Sequence, residues 1–438
     1  MKKTFTLKSS KCKSLKGILH VPPDKSISIR ALLISSVCFG NTKIFNLLLS
    51  DDVLNTLKSI KKLGIKIKKQ KEFYEVYGNG GYFINPKSEL YLGNSGTGVR
   101  LICGLICNRG INARLTGDES LSSRSMKRVI EPLSKMNAKF KHNNGFLPIQ
   151  IEDNCNSTVP INYNLKVGSA QIKSAILLAG LNLKGVIKIK ENFPSRNHTE
   201  IMLKFLGVNI KKSKKIISLE SPNFLKPKDL HIPGDFSSAA FVIIAALITK
   251  NSNVLIKDVG LNYFRIGLID VLNKMNAKIK ISNKRCINGE LIGDIRVKSS
   301  KLSSTTVNRK VSPRLIDEYP VLFVAASYAQ GISRFYGLSE LKLKESDRLR
   351  SMADALTNAG VKIKETRDSM EILGKEKNIG GNTVETRSDH RIAMSMLVFG
   401  LACEKSIKID DMKMIKTSFP KFKEILEKIG ARIEYIQK

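Results

Sequence analysis

The sequence predicts an α/β (α+β) protein in which six copies of one structural unit form two similar domains. Three observations predict this fold class. A helix–turn–strand pattern recurs along the chain, its copies are almost evenly spaced, and two proline-containing breakers divide the copies into groups of three. Hydrophobic residues make up 42% of the 438 residues, which is enough for a folded core.

Each copy of the pattern begins with an amphipathic helix and ends with a short strand of alternating apolar residues. A glycine or an asparagine separates the two, and these are the residues that end helices in the left-handed conformation. The alternation that follows indicates a half-buried strand. Successive separators are 73, 70, 69, 84 and 70 residues apart, which is too long for a solenoid repeat. They are Gly64, Asn137, Gly207, Asn276, Gly360 and Gly430.

The domain boundaries are predicted at two breakers, VPP at 21–23 and IPGD at 232–235. The first three copies of the pattern lie between them. We therefore expect a first domain over 24–235 and a second domain formed by 1–23 and 236–438, with the chain crossing between the domains twice.

The net charge of +36 raises three possible classes of partner: nucleic acid, an anionic membrane and acidic substrates. The lysines are scattered and form no basic arm, and tryptophan is absent, so a lysine-biased composition explains most of the charge. We expect neither a nucleic-acid nor a membrane partner.

The seven cysteines include no C-x-x-C pair, which favours a reducing compartment, and neither they nor the five histidines have metal-site spacing. Cys103 and Cys107 are interpreted as core residues. The N-terminus lacks the apolar segment of a secretory signal, and the chain has no apolar run of 18 residues. A cytoplasmic location is expected.

Arginine and lysine recur inside six stretches that otherwise resemble tight turns. Small residues let backbone N–H groups approach a ligand, and arginine binds carboxylate or phosphate with two parallel hydrogen bonds. Together the stretches predict a site for a small substrate with several negative charges. They are 22–36, 92–101, 117–128, 168–175, 341–350 and 388–394.

These stretches and others between them resemble the 5-enolpyruvylshikimate-3-phosphate (EPSP) synthase family, from about Val21 to the C-terminus. The shared motifs are DKSIS at 24–28, GNSGT at 93–97, GDESL at 117–121, SAQIKSA at 169–175, SRNHTE at 195–200, PGDFSSAAF at 233–241, IDEYP at 316–320, KESDRL at 344–349, DHRIAM at 389–394 and TSFP at 417–420.

The resemblance implies a monomer with two similar domains, each of three β-α-β-α-β-β units, and a site in the interdomain cleft. It implies transfer of the enolpyruvyl group of phosphoenolpyruvate to the 5-hydroxyl of shikimate 3-phosphate, with release of phosphate. The reaction would pass through a tetrahedral addition intermediate and would need no metal or organic cofactor. It belongs to the pathway that leads through chorismate to the aromatic amino acids.

The resemblance also implies the residues that bind each substrate. For shikimate 3-phosphate they are Lys25, Ser26, Arg30, Ser169, Gln171, Arg196, Asp317 and Lys344. For phosphoenolpyruvate they are Lys25, Asn94, Gly96, Thr97, Arg124, Gln171, Arg348 and Arg391.

Three catalytic residues follow from the same resemblance. Asp317 would accept the proton of the attacking hydroxyl, Glu345 would exchange a proton with the methylene carbon, and Lys25 would assist. Without the resemblance, Glu345 and Arg348 would be interpreted as a surface ion pair at i, i+3, and Asp317 as a helix cap. His390 and Asp389 are expected to orient Arg391.

The sequence departs from the family pattern at three positions. Ser125 follows Arg124 where proline is usual, which predicts a less rigid loop. Asn197 replaces the usual aspartate. Thr417 stands where one branch has a lysine, and the neighbouring Lys416 is given no role.

Two other functions agree with parts of the sequence. An enolpyruvyl transferase acting on UDP-N-acetylglucosamine would carry a reactive cysteine in a loop that here reads GDESLSSRSMKR, without cysteine. A nucleic-acid-binding protein would account for the charge but not for the separate anion-binding motifs.

Overall fold

The computed structural model describes residues 5–154, 157–222 and 224–437. Cys155, one of the seven cysteines, lies outside these ranges. The α-helices in the described part of the chain are α1 (Lys25–Ser36), α2 (Asp51–Lys62), α3 (Gly96–Ile106), α4 (Glu119–Ser122), α5 (Lys127–Lys135), α6 (Ala170–Gly180), α7 (His198–Phe205), α8 (Phe236–Ile248), α9 (Gly267–Lys274), α10 (Tyr319–Ser327), α11 (Arg348–Asn358), α12 (His390–Gly400) and α13 (Phe422–Glu427). Short 3-10 helices span Ser312–Arg314, Ser339–Leu343 and Lys413–Thr417.

The strands of the described residues form four-stranded sheets. The strands are β1 (Phe5–Ser10), β2 (Lys16–His20), β3 (Phe39–Phe45), β4 (Lys66–Lys69), β5 (Phe73–Asn79), β6 (Leu90–Tyr91), β7 (Ala113–Thr116), β8 (Lys139–Asn143), β9 (Phe146–Glu152), β10 (Asn162–Leu165), β11 (Val186–Glu191), β12 (Ile210–Ser213), β13 (Ile216–Glu220), β14 (Leu230–His231), β15 (Asn253–Gly260), β16 (Lys278–Ile287), β17 (Glu290–Lys298), β18 (Thr306–Val307), β19 (Gly331–Tyr336), β20 (Lys362–Glu365), β21 (Ser369–Gly374), β22 (Thr383–Val384), β23 (Ile407–Ile409) and β24 (Arg432–Gln437).

Two compact units are present. The first unit comprises Pro23–Pro233 and the short segment Cys286–Glu290, and the second unit comprises the chain up to Pro22, Gly234–Arg285 and the chain from Leu291 onward. The segment 286–290 is the tip of the β16–β17 hairpin, and sequence reasoning did not assign it to the first unit.

Each unit contains three sheets of one design. The sheet orders are β14-β3-β5-β4, β6-β7-β9-β8 and β10-β11-β13-β12 in the first unit, and β16-β17-β15-β2, β18-β19-β21-β20 and β22-β23-β1-β24 in the second. Every sheet has one parallel pair at an edge, such as β10 with β11, next to antiparallel partners. The N-terminal strand β1 lies between β23 and β24, so the first residues complete the last sheet.

The predicted helix–turn–strand repeat is confirmed at every copy. The helix and strand of the six copies are α2 and β4, α5 and β8, α7 and β12, α9 and β16, α11 and β20, and α13 and β24. Every separator residue has a positive φ, between 63° and 107°, which is the left-handed region that favours glycine and asparagine.

Three helices form the centre of each unit: α1, α3 and α6 in the first, and α8, α10 and α12 in the second. Helix α8, with the sequence FSSAAFVIIAALI, is buried along its whole length except for its last residue. A helix that is apolar on all sides is stable only inside a core. The sheets and the amphipathic helices surround these central helices, and each central helix begins at one of the motifs shared with the family.

No helix in the described part of the chain combines the length and the hydrophobicity needed to cross a bilayer. Cys103 and Cys107 are buried in the core of the first unit, as expected. Burial raises the pKa of the Cys107 thiol to about 12.

Candidate active site

Several site residues lie at the N-termini of central helices, where polar caps end the buried apolar segments: Lys25 and Ser26 in α1, Gly96 and Thr97 in α3, Gln171 in α6 and Arg391 in α12. Five of the six central helices have a side-chain cap, and the acceptors are Asp24, Ser95, Ser169, Asp235 and Asp389. Helix α10 instead has a proline in its first turn. The exposed N–H groups and the dipole of a helix N-terminus favour the binding of anions.

Lys25 is the first residue of α1 and is held by a carboxylate of α2. Its Nζ lies 3.1 Å from Oδ2 of Asp52, and Asp52 is buried. No motif indicates this pair, because acidic residues at the start of a helix are common. The pair keeps the ammonium of Lys25 in place at the start of α1.

Arg124 and Asn94 form a second group in the first unit. The guanidinium of Arg124 donates to the main-chain oxygen and the Oδ1 of Asn94, and its Nε donates to the Ser120 carbonyl at 3.0 Å. The Nδ2 of Asn94 donates to Asp118, which also caps α4. Arg124 is therefore fixed beside the N-terminus of α3 before any ligand binds.

Gly96 and Thr97 are the first two residues of α3. A Cβ on Gly96 would lie 2.7 Å from a terminal nitrogen of Arg100 and 3.2 Å from one of Arg124. The absence of a side chain at Gly96 therefore lets two guanidinium groups approach this helix end. The hydroxyl of Thr97 accepts a hydrogen bond of 3.1 Å from Nε2 of Gln171, which joins the starts of α3 and α6.

Arg30 is buried and links three helices of the first unit. Its Nε donates to the hydroxyl of Thr199 at 2.8 Å, and one terminal nitrogen donates to the hydroxyl of Ser174 at 2.9 Å. The other donates to the main-chain oxygen of Ser26. These bonds place a fixed cation between α1, α6 and α7. Arg196, in the loop before α7, is half-buried.

In the second unit, three carboxylates surround Arg348. Its Nε donates to Asp389 at 2.8 Å, one terminal nitrogen donates to Glu345 at 2.5 Å, and the other lies 3.5 Å from Asp317. Burial alone would lower the pKa of the Arg348 guanidinium, but Asp389, Glu345 and Asp317 together raise it above its ordinary value. Nζ of Lys344 lies 3.5 Å from the same oxygen of Asp317.

Arg391 completes the group in the second unit. Its guanidinium donates to the carbonyl of Asp317 at 2.6 Å and lies 3.9 Å from the carboxylate of buried Glu318. Asp389 caps α12 through the main-chain N–H of Arg391, but the guanidinium that it binds is that of Arg348. This second partner could not be read from the motif DHRIAM, which indicates only a cap.

Two simpler interpretations, a surface ion pair for Glu345 and a helix cap for Asp317, do not describe the structure. Glu345 and Arg348 do pair at i, i+3, but the Arg348 side chain is 1% exposed and does not lie on the surface. The residue at the cap position of α10 is Glu318, not Asp317, and no side chain caps that helix. Asp317 and Glu345 are instead partly buried, with side chains 16% and 17% exposed, among fixed cations.

The departures from the family pattern have local consequences. The Ser125 carbonyl accepts a hydrogen bond from Arg100, and its hydroxyl accepts one from the N–H of Lys127. The lower rigidity of this loop stays a prediction. Thr417 is buried and lies 3.4 Å from Nδ1 of His390, whereas Lys416 is exposed.

The arrangement suits anion binding and proton transfer. Each unit presents fixed cations beside helix N-termini, and the second unit adds two carboxylates that are accessible enough to exchange protons. The described residues contain no group of three or more histidine, cysteine, aspartate or glutamate side chains placed to hold a metal ion.

Comparisons with known proteins agree on one family. The sequence model described as EPSP synthase (3-phosphoshikimate 1-carboxyvinyltransferase) matches residues 10–426. A 3-phosphoshikimate 1-carboxyvinyltransferase of Chelativorans sp. is 43% identical over 437 residues, covering 98% of this chain and 97% of that protein. One of Petrotoga mobilis is 43% identical over 416 residues, covering 94% and 96%. A solved structure of an EPSP synthase from Acinetobacter baumannii superposes with a TM-score of 0.88 at 36% identity, covering 99% of this chain and 100% of that one.

Proposed function

Because the chain belongs to the EPSP synthase family, it transfers the enolpyruvyl group of phosphoenolpyruvate to shikimate 3-phosphate in the shikimate pathway, and we propose that residues of both units take part. The proposal concerns which residues bind each substrate and which move protons. The observation that carries it is the grouping of Asp317, Glu345 and Lys344 around Arg348.

In the first unit, Ser169, Gln171 and Arg196 bind shikimate 3-phosphate, and Ser26 and Arg30 bind its carboxylate. The start of α6 at Ser169 and the fixed guanidinium of Arg30 support this assignment, since helix N-termini and guanidinium groups both favour anions. In the second unit, Lys344 binds a hydroxyl or the phosphate of the same substrate, and Asp317 binds its 5-hydroxyl.

Phosphoenolpyruvate carries a carboxylate and a phosphate and needs several fixed cations. We assign Arg124, Arg348 and Arg391 to it, together with Lys25 and Gln171. The start of α3, with Asn94, Gly96 and Thr97, offers main-chain N–H groups for the same ligand. The hydrogen bonds of Arg124 to Asn94 and the ion pair of Arg348 with Asp389 support the assignment because they orient each guanidinium before binding.

The chemistry is an addition followed by an elimination. In the addition, the 5-hydroxyl oxygen of shikimate 3-phosphate bonds to C2 of phosphoenolpyruvate while Asp317 accepts the hydroxyl proton. A proton from Glu345, assisted by Lys25, reaches C3 and converts the methylene into a methyl group. In the elimination, one methyl proton returns to Glu345, the double bond re-forms and the C2–O bond to phosphate breaks. The proton that Asp317 took from the hydroxyl passes to the departing phosphate, so both carboxylates return to their starting states. Atoms and charge balance without an oxidant or a metal.

The experiment that tests these catalytic roles is a steady-state analysis of purified protein with both substrates, following phosphate and the enolpyruvyl product. Loss of turnover in Asp317→Ala and Glu345→Gln, with binding of shikimate 3-phosphate retained, supports the roles. The exposed ion pair of Lys250 with Glu376 supplies a control, because Glu376→Gln leaves turnover unchanged if only the grouped carboxylates matter.

We also propose that the protein acts as a monomer in the cytoplasm, without a nucleic-acid partner. The scattered distribution of its lysines supports the last point. A single species of about 49 kDa in sedimentation would support the monomer. A mass that doubles at working concentration would contradict it.

A further inference from the structure

Lys173 is fully buried in the first unit, yet none of the ligand contacts proposed above uses it. It lies on α6, two residues after Gln171. A buried ammonium group is costly unless its charge is paired and each of its donors has a partner. Its surroundings therefore indicate what this cation does.

The ammonium of Lys173 contacts three acceptors from three different elements. Nζ lies 2.9 Å from Oε1 of Glu191 at the end of β11, 2.7 Å from Oε1 of Glu200 in α7, and 3.4 Å from the main-chain oxygen of Ser195 in the loop between them. These four residues are called the Lys173 cluster. One side chain thus joins the end of a strand, a loop and the start of a helix.

Stability alone does not explain the cluster. Well-packed apolar residues can replace a buried ion pair at little or no loss of stability, so such a pair is weak support for a purely stabilising role. A charged cluster does fix the geometry of the groups that it joins more narrowly than apolar contacts do. The group that is fixed here is the loop that carries Arg196.

Ser195 precedes Arg196, and its main-chain N–H, its carbonyl and its hydroxyl all make hydrogen bonds within the Lys173 cluster. Oε1 of Glu191 accepts from the main-chain N–H of Ser195 at 2.9 Å and from its hydroxyl at 2.6 Å, while Lys173 donates to its carbonyl. The peptide that leads into Arg196 therefore has a single orientation. Loss of the cluster would free the backbone on one side of that arginine.

Ser174 and Thr199, which are adjacent in sequence to members of the Lys173 cluster, form a second contact between α6 and α7, and this contact holds Arg30. Ser174 follows Lys173 and Thr199 precedes Glu200, and their hydroxyl oxygens lie 2.6 Å apart. Both hydroxyls accept hydrogen bonds from Arg30. Helices α6 and α7 are thus joined at two successive positions, once by charge and once through hydroxyls that orient a cation.

We propose that Lys173 is a positioning residue that, through Glu191, Ser195 and Glu200, holds Arg196 and Arg30 in the orientation that binds shikimate 3-phosphate. The inference rests on the proposed assignment of Arg196 and Arg30 to that substrate. It predicts a defect specific to one substrate, because the contacts assigned to phosphoenolpyruvate at Asn94 and Arg124 are held by other residues.

The test measures KM for each substrate, kcat and thermal stability in four variants of the full chain. Lys173→Met removes the charge and keeps an unbranched, flexible side chain that is one heavy atom shorter. Ser195→Ala removes one hydroxyl and no charge, so it carries the test if Lys173→Met does not fold. Arg196→Ala probes the assignment on which the inference rests.

Arg109→Met is the matched control. Arg109 also joins separate segments of the first unit, through hydrogen bonds to the carbonyls of Leu105 and Gly80 and to the side chain of Asn182. It follows the C-terminus of α3, about 16 Å along that helix from Gly96. The Arg109→Met variant should have lower thermal stability than the wild type, with unchanged KM for both shikimate 3-phosphate and phosphoenolpyruvate.

The expected result is a rise in KM for shikimate 3-phosphate of about tenfold in Lys173→Met and about threefold in Ser195→Ala, with KM for phosphoenolpyruvate within about twofold of wild type. An unchanged KM for shikimate 3-phosphate in Ser195→Ala, or in folded Lys173→Met, overturns the inference if Arg196→Ala raises that KM. If Arg196→Ala leaves it unchanged, the assignment of Arg196 is wrong and the inference falls with it.

Discussion

Replacing Asp389 with asparagine separates the two tasks of this residue, capping α12 and holding Arg348. The Asp389 side chain is 0% exposed and accepts hydrogen bonds from Nε of Arg348 at 2.8 Å and from the main-chain N–H of Arg391 at 2.8 Å. Asparagine is an equally good cap, so the substitution preserves the start of the helix. It removes the charge and turns an amide N–H₂ toward the guanidinium.

The expected loss in the free energy of unfolding is about 2 kcal/mol, the value of a hydrogen bond to a charged group. Asp389→Ala should lose about 1 kcal/mol more, because the cap is lost as well. KM for phosphoenolpyruvate should rise about tenfold in the asparagine variant, since a guanidinium without a fixed orientation loses a charge-assisted contact.

Urea unfolding followed by circular dichroism measures the first quantity, and initial rates at varied phosphoenolpyruvate measure the second. Wild-type stability together with wild-type KM in Asp389→Asn would refute the role of Asp389 as the residue that holds Arg348. Equal stability of the asparagine and alanine variants would refute its role as the cap.

Three further predictions concern the proposed contacts. Asp317→Ala and Glu345→Gln should each reduce turnover by roughly 10²–10⁴-fold while calorimetry still detects binding of shikimate 3-phosphate, and near wild-type turnover in either would remove its catalytic role. Arg124→Lys should raise KM for phosphoenolpyruvate, since lysine cannot form two parallel hydrogen bonds with one anionic group, and an unaltered KM would exclude Arg124 from that site. Gly96→Ala would bring a methyl group within 2.7 Å of Arg100 and 3.2 Å of Arg124, so both guanidinium groups must shift. In the resembling family glyphosate occupies the phosphoenolpyruvate position and is the longer ligand, so it meets the added methyl group first. Gly96→Ala should therefore weaken inhibition by glyphosate more than it raises KM for phosphoenolpyruvate, and equal glyphosate sensitivity of the wild type and the variant would contradict this.

Local signals predicted the repeated units well because the information lies within a few residues. A glycine or asparagine after an amphipathic helix reports a left-handed backbone, and each of the six separators has one. The parallel edge strands were harder to predict. β6, β14, β18 and β22 are only two residues long, too short for alternation to be seen.

Pairings between distant segments could not be predicted. Asp52 lies 27 positions from Lys25, and Asp389 lies 41 positions from Arg348. Each aspartate has an ordinary local explanation as a residue at or near a helix start, so nothing in the sequence indicates its second partner. Lys173 is similar, since a lysine in a helix is usually exposed and its burial follows only from the packing of α6.

The most direct test of the central claim is the entry of deuterium into the enolpyruvyl group when the reaction runs in D₂O. Protonation of C3 creates a methyl group, and removal of a different proton leaves deuterium in the product. The wild-type protein should give product with deuterium on the vinyl carbon by NMR, and Glu345→Gln should form product far more slowly. Product without deuterium from the wild type, or wild-type rates and labelling from Glu345→Gln, would contradict addition–elimination with Glu345 as the group that exchanges the proton.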